Sequence, residues 1–158
     1  MYKTILVPHG GTEGGDLALE HAIFAAREDS KIIIFHIVEA IQAPPSFALS
    51  SSEREDLLKS IDEANEEMRK DMEKRMKKAA EKCKDGGIKV EIKVEIGDAA
   101  ERILDFVEKN KVDLIVMSKR RKLKGMKRLL SLGSVSRKVV ENITCPVTLI
   151  DAEKAGKK

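Results

Sequence analysis

The chain of 158 residues has no tryptophan, one tyrosine and two cysteines, and aromatic residues make up only 3% of it. With so few rings there is little to stack on nucleobases, so a nucleic-acid partner is not expected beyond simple attraction to the backbone. Cys83 and Cys145 are too few for a disulfide scaffold or a cysteine metal centre and read as small apolar interior residues. No apolar run approaches the roughly 20 residues of a bilayer span. The first residues enter a strand pattern at Tyr2 with no charged-then-apolar leader, so the expected location is cytoplasmic. Three familiar nucleotide and metal signatures are also missing: there is no G-x-G-x-x-G, no G-K-S/T, and no histidine pair at metal-ligand spacing.

What remains is a well-mixed globular composition, 42% hydrophobic and 36% charged, of a length that suits one domain. Residues 1–151 are expected to form it, with 152–158 a short charged tail. Charge is unevenly placed. Residues 114–140 hold nine lysines and arginines and no acid, so the net charge of +3 leaves −6 for the rest of the chain. A local field of one sign attracts anions, and the alternative is a merely solvated basic loop.

The hydrophobic pattern alternates between strands and helices. "YKTILVP" (2–8) and "KIIIFHIVEA" (31–40) are unbroken apolar strands, as expected when helices cover both faces. Between them, apolar residues at 19, 22, 23 and 26 have helical spacing. Residues 41–52 are a Pro- and Ser-rich connection and the segment with most freedom. From about Glu53 to Lys84, apolar residues at 57, 61, 64, 68, 72, 76, 79 and 83 predict one long amphipathic helix whose stripe packs on the sheet. "IKVEIKVEI" (88–96) alternates strictly and suits a half-covered strand near a sheet edge. Asp98 with Glu101 marks a helix start and Asn110 its end. "VDLIVM" (112–117), a helix over 134–142 and "CPVTLI" (145–150) complete the series. Five strands alternating with four helices predict an α/β fold, an open five-stranded parallel sheet in a Rossmann-like three-layer arrangement.

Ligands of such sheets bind outside the carboxyl ends of the strands, where strand order reverses. The loops after strands one, two and four are therefore the candidates. "PHGGTEGGD" has four glycines in six residues, which either lets backbone approach a ligand or simply serves a tight turn. "LGSVS" (132–136) sets Gly133, Ser134 and Ser136 at a helix start, where uncommitted amides suit a phosphate, or where a serine caps the helix. No nucleophile, base and orienter come together in the pattern, so binding is favoured over catalysis.

These segments resemble the universal stress protein family over 2–150. "YKTILVPHGG…ALEHA" resembles its opening K-I-L-V-P-x-D-G-S and A-L-x-x-A helix, and "FHIVEA" and "GDAAERIL" resemble its second strand and third-helix turn. "DLIVM…GMKRLLSLGSVSRKVV…CPVTLI" is similar to D-L-I-V-M-G-S-R-G-x-x-G-L-K-R-L-L-L-G-S-V-S followed by C-P-V-L-V-V. One branch of the family binds ATP through G-x-x-G-x9-G-S/T; another lacks the motif and works as a dimeric interaction protein.

Carried over residue by residue, the resemblance implies a nucleotide site of Pro8, His9, Gly10, Gly11 and Thr12, of Ile37 and Val38, of Met117, Ser118, Lys119 and Arg121, and of Gly133, Ser134, Val135 and Ser136. Its ligand would be ATP with Mg2+. The match departs in three places. Gly10 stands where the family has aspartate, Ser118 and Arg121 replace the two leading glycines, and eleven residues rather than x9 separate Arg121 from Gly133. Two readings follow: the loop has lost ATP, as in the branch without the motif, or side-chain charge from Lys119 to Lys124 takes over from backbone amides. The resemblance also implies a homodimer along the last strand, Cys145 to Ile150. The ATP pyrophosphatases, with S-G-G-x-D-S in the first loop, are a poor match, since Glu13 and Gly14 stand for the Asp and final Ser.

Overall fold

The computed structural model describes residues 2–45, 48–84, 87–119 and 132–152. The elements run β1 (Thr4–Pro8), α1 (Glu13–Ala25), β2 (Lys31–Val38), α2 (Ser51–Lys84), β3 (Lys89–Ile96), α3 (Ala99–Lys109), β4 (Leu114–Lys119), α4 (Ser134–Asn142) and β5 (Val147–Asp151). All strand pairs are parallel, in the order β3-β2-β1-β4-β5. This is the open α/β sheet that the alternating pattern predicts.

The side-chain period of two sorts each central strand between two cores. Ile5, Val7, Ile32, Ile34, Leu114 and Val116 face α1 and the second half of α2. Leu6, Ile33, Phe35, Ile115 and Met117 face α3 and α4, where Phe35 and Phe106 pack with ring centroids 5.0 Å apart. Both faces of β1 are sealed: Ile5, Leu6 and Val7 have no exposed surface. The strictly alternating β3 does lie at the sheet edge. Its apolar residues Val90, Ile92 and Val94 join the first core, while Glu91 pairs with Lys31 at 3.1 Å and Lys93 lies over the Phe106 ring at 4.8 Å.

The long helix α2 departs from expectation. Its 34 residues extend about 51 Å at 1.5 Å per residue, whereas an eight-residue strand extends only about 26 Å. Only the later turns can therefore lie on the sheet. Met76, Ala79, Ala80 and Cys83 are buried, but Leu57, Ile61 and Ala64 are only half-buried and Leu58 is exposed. The helix also starts earlier than Glu53, with a reciprocal box: the Ser50 hydroxyl accepts from the Glu53 amide (3.3 Å) and the Glu53 carboxylate from the Ser50 amide (2.9 Å). Asn65, buried on α2, accepts from the Ile41 amide at 2.8 Å and so ties down the start of the Pro-rich connection. Cys83 is buried as expected, whereas Cys145 is half-exposed, because it precedes the edge strand β5. Residues 85 and 86, which follow α2, and the tail from residue 153 lie outside the described residues. Among the described residues, no helix is long and apolar enough to cross a membrane.

Candidate nucleotide site at the strand switch point

Strand order reverses between β1 and β4, and there the two strands part. They pair only at Ile5–Leu114 and Leu6–Ile115, close to their amino ends, where the Asp113 carboxylate also accepts from the Lys3 and Thr4 amides at 2.9 and 2.8 Å. Beyond those residues β1 stays paired with β2 as far as Pro8–Phe35, and β4 with β5 as far as Lys119–Asp151. The carboxyl ends thus follow separate neighbours and leave a crevice between them, the place where such sheets hold ligands.

The first loop is built by its glycines and histidine, each with a different task. Gly11 has φ +69°, a conformation that side chains disfavour, and Thr12 caps α1 by accepting from the Gly15 amide at 3.4 Å. Gly14 and Gly15 serve close approach. A Cβ on Gly14 would come within 3.0 Å of the Ser118 hydroxyl, and one on Gly15 within 2.7 Å of the His9 ring. Gly10 has neither constraint: an added Cβ would meet nothing nearer than Thr12 at 3.9 Å. Its missing carboxylate is therefore a matter of chemistry and not of space.

Hydrogen bonds bring the other loops to the first. The His9 amide donates to the Phe35 carbonyl at 2.9 Å, and His36 Nδ1 lies 2.7 Å from the His9 carbonyl. A carbonyl only accepts, so His36 carries its proton on Nδ1. Ile37 and Val38 follow directly; Val38 is buried with its carbonyl taken by the Gly97 amide at 3.0 Å, and Ile37 is half-buried. On the other side, Met117 is buried in the second core and Ser118 sits half-buried against Gly14. The Ser136 hydroxyl, buried, reaches the Ser118 carbonyl at 3.5 Å. Pro8 to Thr12, Ile37, Ser118 and Ser136 therefore form one contiguous rim.

The N-terminus of α4 closes that rim without a cap of its own. Gly133 is the N-cap and offers no side-chain hydrogen bond, while Ser134 is exposed and Val135 half-buried. α1 and α3, by contrast, are capped by Thr12 and Asp98, the latter accepting from the Glu101 amide at 3.0 Å. Among the described residues no side chain caps the first turn of α4, whose amides and positive dipole end have the chemistry that suits an anion.

Lys119 is held elsewhere. Its ammonium pairs with Asp151 at 3.2 Å, both side chains mostly shielded, which ties the ends of β4 and β5 together. Arg121 and the rest of the basic run from 120 to 131 lie outside the described residues. Sequence reasoning did not find Asp151, Asp16 or Lys82 near these loops. Asp151 lies across the β4–β5 pair, and Lys82 meets Asp16 at 3.6 Å across a gap of two helices, separations that leave no local signal. Among the described residues no group of three His, Cys, Asp or Glu side chains is placed to hold a metal.

The whole domain can be matched to known proteins. The family model for the universal stress protein family matches residues 1–151. Universal stress protein MJ0531 of Methanocaldococcus jannaschii is 32% identical over 163 residues, covering 98% of this chain and 85% of that one. The solved structure of MJ0577, a universal stress protein of the same organism, superposes with a TM-score of 0.77 at 24% identity and covers 96% of each chain. A universal stress protein solved in complex with cAMP superposes with a TM-score of 0.65 at 20% identity, covering 96% of this chain and 98% of that one. Sequence, strand order and the crevice at the switch point agree, and the chain belongs to the universal stress protein family.

Proposed function

We propose that this chain is a stress-response binding protein that takes ATP or a related nucleotide at the crevice between β1 and β4, without a catalytic cycle of its own. The observation that carries the reading is the separation of the two strands beyond Leu6 and Ile115, opposite a helix whose N-cap is glycine. Its relation to a family member solved with cAMP supports the ligand class.

The residues fit a nucleotide in part. The base would lie against Pro8 to Thr12 and the end of β2 at Ile37 and Val38. The phosphates would meet the amides of Ser134, Val135 and Ser136 behind Gly133, with Arg121 and its basic neighbours as counter-charge. Met117 and Ser118 would form the floor, and Lys119, bound to Asp151, would hold the loop's starting point and not touch the phosphates. Any Mg2+ would arrive with the phosphates, since the described rim offers no carboxylate cluster.

Replacing Ser134 by Glu tests the placement. A carboxylate at the exposed first position of α4 would occupy and repel the anion site, so affinity for MgATP in calorimetry is expected to fall at least a hundredfold, about 2.7 kcal/mol. Unchanged affinity would contradict the placement.

The homodimer implied by the resemblance is proposed along β5. That strand is paired on one side only, by β4, and presents half-buried Val147 and Leu149 at the open edge. A second copy pairing there would cover them, and sedimentation of the wild type beside Val147→Pro, which removes an amide that faces the open edge at the first residue of the strand, checks it.

A further inference from the structure

The first loop contains a titratable group with an unusual setting. His9 is buried, with 3% of its side chain exposed, and its ring packs directly on Gly15. Its Nδ1 accepts a hydrogen bond from the Gly11 amide at 3.0 Å. An acceptor nitrogen carries no proton, so the neutral ring holds its proton on Nε2. That atom is fully buried and, among the described residues, makes no well-aligned hydrogen bond; Asp16 Oδ1 lies 3.4 Å away.

We infer that His9 is a proton-controlled latch on the ligand loop: neutral, it pins Gly11 in its left-handed turn, and protonated at Nδ1, it releases that turn and weakens nucleotide binding. Taking up a proton puts an N–H where the Gly11 N–H already points. The two donors repel, while the new imidazolium is drawn to Asp16. Gly11 is the one residue of the rim at positive φ, and the Met72 side chain of α2 fills the space where its Cβ would be, 2.8 Å away.

The charged surroundings set the direction. Asp16 on α1 favours the charged ring, whereas burial, His36 from β2 and Lys82 from α2 oppose it, and burial dominates, so the His9 pKa lies below its ordinary 6.5. Arg75, Lys78 and Glu81 of α2 line the same groove between α1 and α2, a cleft of about 600 Å³. The loop is therefore latched at neutral pH and released on acidification. The effect on affinity rests on the nucleotide reading above; the release of Gly11 does not.

The test follows the Gly11 amide and the His9 ring nitrogens by nitrogen-15 NMR from pH 8 to pH 5, with MgATP affinity measured in parallel on the wild type and on His9→Asn. Asparagine places an oxygen where Nδ1 stands and does not titrate. The Gly11 amide is expected to shift along the His9 titration curve in the wild type. The wild-type to H9N affinity ratio is expected to fall by up to tenfold per pH unit below the His9 pKa, with the protonation of ATP itself cancelling in that ratio. A Gly11 amide that ignores the His9 titration, or a constant ratio, overturns the latch. If MgATP binds neither protein at pH 8 while Gly11 still follows His9, the latch stands and the nucleotide reading fails.

Discussion

Two helix N-termini flank the crevice, and they are finished in opposite ways. α1 is closed by its own chain: Thr12 caps it, the His9 ring lies on Gly15, and Gly14 is pressed against Ser118. α4 begins at Gly133 with no side-chain cap, and its first residue, Ser134, is exposed. The same local device, glycine beside a helix start, serves packing in one case and in the other comes without a side-chain cap. Counting glycines cannot tell these uses apart; the surroundings of each can.

Substitutions can break that contrast from either side. The largest effect on stability is expected from Gly15→Ala, whose Cβ would come within 2.7 Å of the buried His9 imidazole. A loss of about 1–3 kcal/mol in denaturant unfolding is expected, typical of overpacking. Gly133→Asp would give α4 the cap it lacks. Thermal stability should rise slightly while MgATP affinity falls about tenfold, because the new carboxylate takes the amides the phosphates need. A variant that loses no affinity would show that those amides are not the ligand's.

Thr12→Ala removes the existing cap of α1 and should cost about 1 kcal/mol of stability. Gly10→Asp restores the family's carboxylate where space allows it, and a severalfold gain in ATP affinity with no gain for inorganic triphosphate is expected in paired titrations.

The smallest effect concerns pH. Because burial holds the folded-state pKa of His9 below 6.5, its neutral form contributes to stability in full above about pH 6.5. Below that the unfolded chain takes up the proton first, and the contribution fades until the folded-state pKa is passed. The difference in melting temperature between wild type and H9N should accordingly shrink between pH 7.5 and pH 5.

Much of the fold was legible because burial on both faces leaves unbroken apolar strands and burial on one face leaves alternation. β1, β2 and β4 read as the first kind and β3 as the second, and the central and edge positions follow. α4 begins and ends where its residues indicated, at Ser134 and Asn142. α2 was misjudged in its first half, since an amphipathic stripe has the same spacing whether or not a sheet lies beneath it. Its true start carries a readable sign in the Ser50 and Glu53 pair, spaced as a capping box.

For the site, the switch point and its loops followed from the strand series and the resemblance. The unpaired stretch of β1 and β4, the Lys119–Asp151 ion pair and the His9–Gly11 bond did not, since each depends on contacts between residues that no periodicity links or on which way a buried ring turns. Lys119 shows the consequence: a lysine that heads a basic cluster in sequence is committed to a carboxylate in space.

The central claim, a nucleoside pocket at the switch point, is tested most directly by the melting temperature of the purified chain with MgATP beside an equal concentration of inorganic triphosphate with magnesium. Ligand at about a hundred times its dissociation constant adds roughly 2.7 kcal/mol, a rise of about 5–10 °C for a domain of this size. Stabilisation by ATP well beyond that by triphosphate is the predicted result. Equal shifts would reduce the crevice to a general anion trap, and no shift from either would contradict a ligand at the N-terminus of α4.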